Sequence, residues 1–248
     1  MIRLRGLRKK LGSKQVLNGL DLDVPAGCTM VILGQSGTGK SVLLKHIIGL
    51  MRPDAGTIEV DGEEVTLLRE SDLNRVRRRF GMLFQGAALF DSLTVGENVA
   101  LPLREHTRLT EAEIRSRVAE RLDWVGLHDV ETMKPASLSG GMRKRVGLAR
   151  AIAMDPAYIL YDEPTTGLDP ITADVINRLI RSLQSRIGVT SIVVTHDLHS
   201  AWHVGDRLAL LHQGRVHWTG TPDEARKTGD ELVRQFIEGS SEGPVHAV

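Results

Sequence analysis

An apolar run, Cys28-Thr29-Met30-Val31-Ile32-Leu33, breaks directly into Gly34-Gln35-Ser36-Gly37-Thr38-Gly39-Lys40-Ser41, and from Lys40 to Leu50 the pattern is helical. The octapeptide fits G-x-x-x-x-G-K-[ST] and stands between a buried strand and a helix, the context that gives this motif its meaning. Glycines let backbone N–H groups converge on phosphate oxygens, and the helix N-terminus adds a favourable dipole. In such a loop Lys40 reaches the β- and γ-phosphates of a nucleotide and Ser41 meets Mg²⁺. A chance glycine-rich turn would not be flanked by both a strand and a helix.

The rest of the chain extends that unit. Leu20, Leu22 and Val24 alternate with Asp21 and Asp23 as in a half-exposed strand closed by Pro25-Ala26-Gly27, and Thr57 to Val60 reads as a strand entering a tight Asp61-Gly62 turn. Phe80 to Phe84 is a short apolar strand ended by Gln85. Between Gly86 and Asp155 strand patterning gives way to helices: Thr110 with Glu113 makes a capping box, followed at helical spacing by Ile114, Val118, Leu122 and Val125. Strands return at Ala157 to Tyr161, then a helix from Pro170 with Ile176, Ile180, Leu183 and Ile187 on one face, ended by Gly188. Thr190 to Thr195 and a hairpin of Leu208 to His212 with Arg215 to Trp218 complete the pattern, and Gly239 to Val248 reads as a loose tail. The alternation predicts an α/β fold with a mainly parallel sheet and a helical insertion.

Two further stretches carry chemistry. Ile159-Leu160-Tyr161-Asp162-Glu163 places a carboxylate pair at the mouth of a buried strand. Alone, such a pair is more often a helix cap or a solvated edge; beside a phosphate loop, Asp162 can hold Mg²⁺ through water and Glu163 can polarise the water that attacks the γ-phosphate. In Leu138-Ser139-Gly140-Gly141-Met142, Ser139 can cap a helix carrying Met142, Val146, Ala149 and Ala153 on one face, leaving an anion-binding end. In isolation this pentapeptide reads as a plain helix start after Pro135.

In their order these motifs resemble the nucleotide-binding subunits of ATP-binding cassette transporters, over nearly the whole chain. Gly34 to Ser41, followed by Val42, matches the Walker A motif, Gln85 the Q-loop, Leu138 to Met142 the signature and Ile159 to Glu163 the Walker B with its catalytic glutamate. Gly167-Leu168-Asp169 matches the D-loop, and His196 the H-loop. The resemblance implies a P-loop NTPase with a RecA-like core, an N-terminal antiparallel β-subdomain and an inserted helical subdomain at about 86–155, in a cassette over 1–238 with a tail at 239–248. It implies ATP and Mg²⁺ as cofactors. Gly34, Gln35, Ser36, Gly37, Thr38, Gly39, Lys40, Ser41 and Val42 would bind the nucleotide, with Ser139, Gly140, Gly141 and Asp169. The metal would fall to Ser41, Gln85 and Asp162, and catalysis to Glu163, His196 and Gln85. In that family two subunits pack head to tail, so Ser139 and Gly141 face the γ-phosphate bound to the opposite copy. Two departures stand out: Leu11 occupies the place of an adenine-stacking aromatic, and Met142 replaces the usual signature glutamine.

Phe84 to Asp91, Asn98 to His106 and Gly140 to Arg145 are similar to the ATPases of bacterial Mla/Mkl-type, MCE-associated phospholipid transporters, and Glu242 to Val245 is similar to part of their tails, which in some members reach the neighbouring ATPase. The resemblance implies a homodimer at the cytoplasmic face of the inner membrane, an integral-membrane permease, an MCE-domain periplasmic protein and, in some systems, a small STAS-domain regulatory protein. The segment from Leu89 to Leu103, with Phe90 and Leu93 as exposed apolar residues, is expected to receive the permease, and Arg75, Arg77, Arg78 and Arg79 to form a solvated helix face. Importers or exporters of other solutes, such as amino acids, drugs or toluene-type solvents, share every nucleotide motif. Lys and Arg total 32 against 31 Asp and Glu in 248 residues, so no broad basic footprint argues for nucleic acid. No apolar stretch approaches the roughly 20 residues of a membrane-spanning helix, no export signal is visible at Met1 to Arg8, and the single Cys28 suits a reducing cytosol.

Overall fold

The computed structural model describes residues 1–244. Val245, the end of the tail stretch singled out above, and the three residues after it lie outside the described residues. Two compact units divide the chain: Met1–Leu68 with the chain from Ile192 on, and Arg69–Ser191.

The first unit begins with β1 (Ile2–Leu11), β2 (Lys14–Val24), β3 (Thr29–Leu33), α1 (Lys40–Ile47), β4 (Ala55–Val60) and β5 (Glu63–Glu64). The second holds α2 (Glu70–Arg77), β6 (Phe80–Leu83), α3 (Val95–His106), α4 (Glu111–Trp124), α5 (Gly140–Ala151), β7 (Tyr158–Asp162) and α6 (Pro170–Ile187). After β8 (Thr190–Thr195) the chain runs through α7 (Leu198–Val204), β9 (Arg207–His212), β10 (Arg215–Gly220), α8 (Pro222–Lys227) and α9 (Glu231–Glu238).

In the first unit an antiparallel sheet of order β2-β1-β4-β5 buries Ile2, Leu4 and Leu7 with Leu20, Leu22 and Val24 on one face. The opposite face carries charge, with Arg5 Nη2 donating to Asp23 Oδ1 across the strands at 2.7 Å. Here β2 is longer than its alternation predicts and β1 is an additional strand; register shifts between Leu4 and Arg8, around the left-handed Gly6, break the period-two signal. The other strands run in the order β10-β9-β3-β8, with β3 parallel to β9. Every residue of β3 is buried, as a parallel strand covered on both faces requires. Both expected tight turns form: Asp61-Gly62 and Gln213-Gly214 each place two residues at positive φ, the geometry whose twist matches a two-residue hairpin.

In the second unit β6 pairs parallel with β7 from Phe80↔Tyr158 to Leu83↔Tyr161. Capping boxes start α3 at Thr94 with Glu97 and α4 at Thr110 with Glu113, and Gly188 ends α6 at φ 64°. Several expectations shift in detail. Helix α1 stops at Ile47 rather than Leu50, and α5 stops at Ala151, so Ala153 lies beyond it. Leu93 is half-buried, not exposed, in a turn where its N donates to Phe90 O at 3.1 Å and its O accepts from Asn98 Nδ2 at 3.4 Å. Of the four arginines read as a solvated face, only Arg75 and Arg78 are exposed; Arg77 pairs with Glu70, and Arg79 lies 5.7 Å over the Tyr158 ring.

Candidate functional site

The residues singled out above fall into two groups, one in each unit. In the first, Gly37 and Gly39 turn the chain at φ 76° and 102°, a region that favours glycine. A Cβ on Gly34 would stand 2.7 Å from Leu211 O, and one on Gly39 would stand 2.8 Å from Val16 Cγ1, so close packing also demands glycine there. Helix α1 starts at Gly39 with no side-chain cap and no acidic residue in its first turn. Its first N–H groups and dipole therefore meet no competing carboxylate, which is what a phosphate needs. Lys40 is 6% exposed, and its Nζ donates to Gly34 O at 2.7 Å and Gln35 O at 3.0 Å, curling the ammonium over the loop. Thr38 Oγ1 also donates to Gln35 O, at 2.7 Å.

His196 follows β8 and is exposed. Its neighbour Asp197 caps α7, accepting from His199 N at 2.9 Å and Ser200 Oγ at 2.6 Å, which sets the bend that presents His196. Gln35, Ser36 and His196 share the wall of a pocket of about 630 Å³ with Leu198, Leu232 and Phe236. Leu11 sits at the end of β1 opposite Lys14, 42% exposed, so an apolar branched side chain stands on the surface there.

In the second unit β7 is wholly buried and delivers Asp162 and Glu163, each 7% exposed, at its C-terminal end. Glu163 adopts φ 49°, an unusual conformation for a non-glycine residue, and Thr166 Oγ1 donates to its Oε2 at 3.1 Å. Gln85 follows β6 and is exposed. Ser139 caps α5 by accepting from Met142 N at 3.2 Å, and the first turn of α5 contains no acidic residue. Asp169 caps α6: its Oδ1 accepts from Ile171 N and Thr172 N, both at 3.0 Å, and its Oδ2 from Thr172 Oγ1 at 2.6 Å. These bonds, the Thr172 hydroxyl foremost, hold the Asp169 carboxyl below the usual carboxylate range.

Two cations on α5 escape the sequence reading. Lys144, 5% exposed, donates from Nζ to Glu163 O at 3.1 Å and also to Gln85 O. Burial pushes its pKa down, against the pull of Asp162 and Glu163. Arg150 donates to Ala87 O at 2.7 Å and Ala88 O at 2.8 Å, two residues that both have positive φ. The available signal is positional: Lys144 lies three residues after Gly141 and four before Leu148, on the buried stripe of α5.

Among the described residues no three His, Cys, Asp or Glu side chains gather into a metal cage. Ser41 in the first unit offers a hydroxyl, and Gln85 and Asp162 in the second offer an amide and a carboxylate, oxygen donors of the kind that Mg²⁺ takes beside waters and phosphate oxygens.

Residues 17–166 match the family model described as ABC transporter, a span that contains the glycine loop, Gln85, the Ser139 turn and Glu163. The chain belongs to the ABC transporter family. The cassette is 45% identical over 245 residues to "Probable ribonucleotide transport ATP-binding protein mkl" of Mycobacterium leprae, covering 98% of this chain and 70% of that one. It is 42% identical over 245 residues to the intermembrane phospholipid transport system ATP-binding protein MlaF of Haemophilus influenzae, covering 99% and 93%. Among solved structures, a dimeric post-hydrolysis state of the ATP-binding cassette MJ0796 bound to ADP and Pi superposes with TM-score 0.83 at 35% identity, covering 89% of this chain and 98% of that one. The α/β architecture with mixed sheets is thus that of an ABC cassette, and the cassette binds and hydrolyses ATP. No helix among the described residues is long and apolar enough to cross a membrane.

Proposed function

We propose that this cassette is the ATP-hydrolysing subunit of a bacterial ABC transporter that moves phospholipid between membranes, working as a homodimer on the cytoplasmic face of the inner membrane. The observation that carries the cargo is the extent of the match to MlaF: it runs over 93% of that relative, nearly end to end, against 70% of Mkl. An integral-membrane permease, an MCE-domain periplasmic protein and, in some systems, a small STAS-domain regulatory protein complete the assembly. The cassette occupies 1–238, with a helical subdomain at about 86–155 and a tail at 239–248.

Each ATP lies between the glycine loop of one copy and the Ser139 turn of the other. Two helix N-termini, those of α1 and α5, lack acidic residues in their first turns and so can share one anionic ligand. Lys40 leaves the loop carbonyls for the β- and γ-phosphates. Ser41, Gln85 and, through water, Asp162 would hold Mg²⁺, which would supply charge neutralisation at the phosphate oxygens. Glu163 polarises the attacking water, and His196 contacts the γ-phosphate from the same copy as Lys40.

A pocket of about 540 Å³ in the second unit is lined by Arg78, Phe84, Phe90, Leu101, Glu105 and Met154. Phe90 is 53% exposed. An apolar hollow with a charged rim on the helices after Gln85 suits a short amphipathic helix of the permease.

The reading is tested by purifying the cassette with its membrane partners, identifying co-purified small molecules and reconstituting the complex in proteoliposomes. Bound phospholipid with lipid-dependent ATP turnover is expected. Turnover that responds to ribonucleotides, as the name of Mkl would have it, or to another solute, and not to lipid, would overturn it.

A further inference from the structure

We propose that Lys144 is a positioning residue for Glu163, holding the backbone of that carboxylate against the Gln85 segment so that the position of the segment sets the rate of hydrolysis. The proposal rests on the reading of Glu163 as the residue that polarises the attacking water.

Lys144 projects from the buried stripe of α5 and ends between two backbone carbonyls, Glu163 O at 3.1 Å and Gln85 O. Those residues follow β7 and β6, adjacent parallel strands whose register pairs Leu83 with Tyr161. An ammonium buried to this degree is costly unless its donors are used, and an apolar residue would fit the stripe without that cost. The lysine therefore does something that packing alone does not require. Glu163 sits at φ 49°, a conformation of higher backbone energy that persists where the surroundings hold it. Its carbonyl accepts from Thr166 N at 3.3 Å as well as from Lys144, and these bonds fix the direction in which the side chain leaves the backbone. The Gln85 segment is fastened to the same helix a second time, by Arg150 on Ala87 O and Ala88 O. Two cations of α5 thus tie the segment down, but only Lys144 also touches the carboxylate residue. Any displacement of Gln85 pulls on the same Nζ that holds Glu163.

The test compares Lys144→Met, Lys144→Arg and Lys144→Gln in the full chain. Methionine removes donors and charge at similar length, and replacing a buried charge by an apolar group of similar volume is commonly neutral for stability; arginine restores charged donors, while glutamine is uncharged and one atom too short to span both carbonyls. The readouts are kcat and KM for ATP, Kd for a non-hydrolysable ATP analogue, and the thermal midpoint as a check on folding. Lys144→Met is expected to lower kcat by ~10-fold or more while KM and Kd change by less than ~3-fold, with a substantial part of kcat recovered in Lys144→Arg. If the methionine variant does not fold, Lys144→Gln gives the same reading, a lowered kcat at preserved Kd. A kcat unchanged in folded Lys144→Met, a parallel loss of kcat and analogue binding, or no recovery in Lys144→Arg would overturn the proposal. Glu163→Gln separates the two levels: if it turns over ATP normally, the reading of Glu163 fails, whereas loss there with unchanged kcat in Lys144→Met overturns the role of Lys144 alone.

Discussion

Thr172 on α6 places its Cγ2 2.4 Å from where a Cβ on Gly141 would stand, so the first turn of α5 approaches α6 as closely as a glycine allows. Gly140, one residue earlier, would meet only Leu168 Cδ2, at 3.4 Å. The two glycines of the signature turn are therefore unequal. Gly141→Ala must push Thr172 away, and with it the hydroxyl that Asp169 accepts, which is expected to cost ~1–3 kcal/mol of stability and to lower ATP turnover. Gly140→Ala is expected to change stability by less than ~0.5 kcal/mol. Denaturant unfolding of both variants checks this; equal losses would show that the close approach is not what requires glycine at 141.

Leu11 stands exposed at the tip of the β1–β2 hairpin, the place that the resemblance to ATP-binding cassettes implies for an adenine-stacking aromatic. A leucine offers no flat face to a purine, and base–aromatic stacking is worth ~1–3 kcal/mol in nucleic-acid systems. Leu11→Tyr is expected to tighten ATP binding by ~5-fold or more, and GTP is expected to compete well against ATP in the unaltered chain. Competition binding with both nucleotides decides it. Strong ATP preference with leucine in place would mean that the base is held elsewhere.

His46, on the helix that opens with Lys40, is 1% exposed, with Nδ1 2.7 Å from Val42 O and Nε2 lacking a hydrogen-bond partner. Burial lowers its pKa, with the Val42 carbonyl opposing and Lys9 adding to the shift. The folded protein therefore refuses a proton that the unfolded chain accepts below about pH 6.5. Stability contributed by neutral His46 is complete above that value and is lost as pH falls towards the lowered folded pKa. Between about pH 7.5 and 5.5 the unaltered protein is expected to lose more stability than His46→Leu, read from denaturant midpoints. Equal losses would contradict the assignment.

How much of this is legible in the sequence depends on whether one element carries its own signal. The strand before Gly34 stands out as an unbroken apolar run and the helix from Pro170 to Ile187 as a single helical period, each followed by glycine where the backbone needs it. Strand β1 hides because Gly6 and the register shifts beside it break the alternation. The glycine loop, Asp162 and Glu163 are readable because their chemistry is local: consecutive residues at the end of a strand form each group. Lys144 is not, since it sits between Arg143 and Arg145 and looks like part of a solvated basic run; only the carbonyls of Gln85 and Glu163, distant in sequence, reveal what it holds. Asp169 shows the converse, an acid expected at a nucleotide site whose two oxygens are engaged in capping α6.

Sharing of one ATP between two copies is tested most directly by light scattering on Glu163→Gln, with and without ATP, and on the same variant carrying Ser139→Asp. Aspartate caps a helix as well as serine does, so the second change keeps α5 intact while setting a carboxylate against the phosphate. The predicted result is a doubling of mass when ATP is added to Glu163→Gln, and no doubling in the double variant although it still binds ATP. A Glu163→Gln chain that stays monomeric with ATP bound, or a double variant that dimerises as readily, would contradict the shared site.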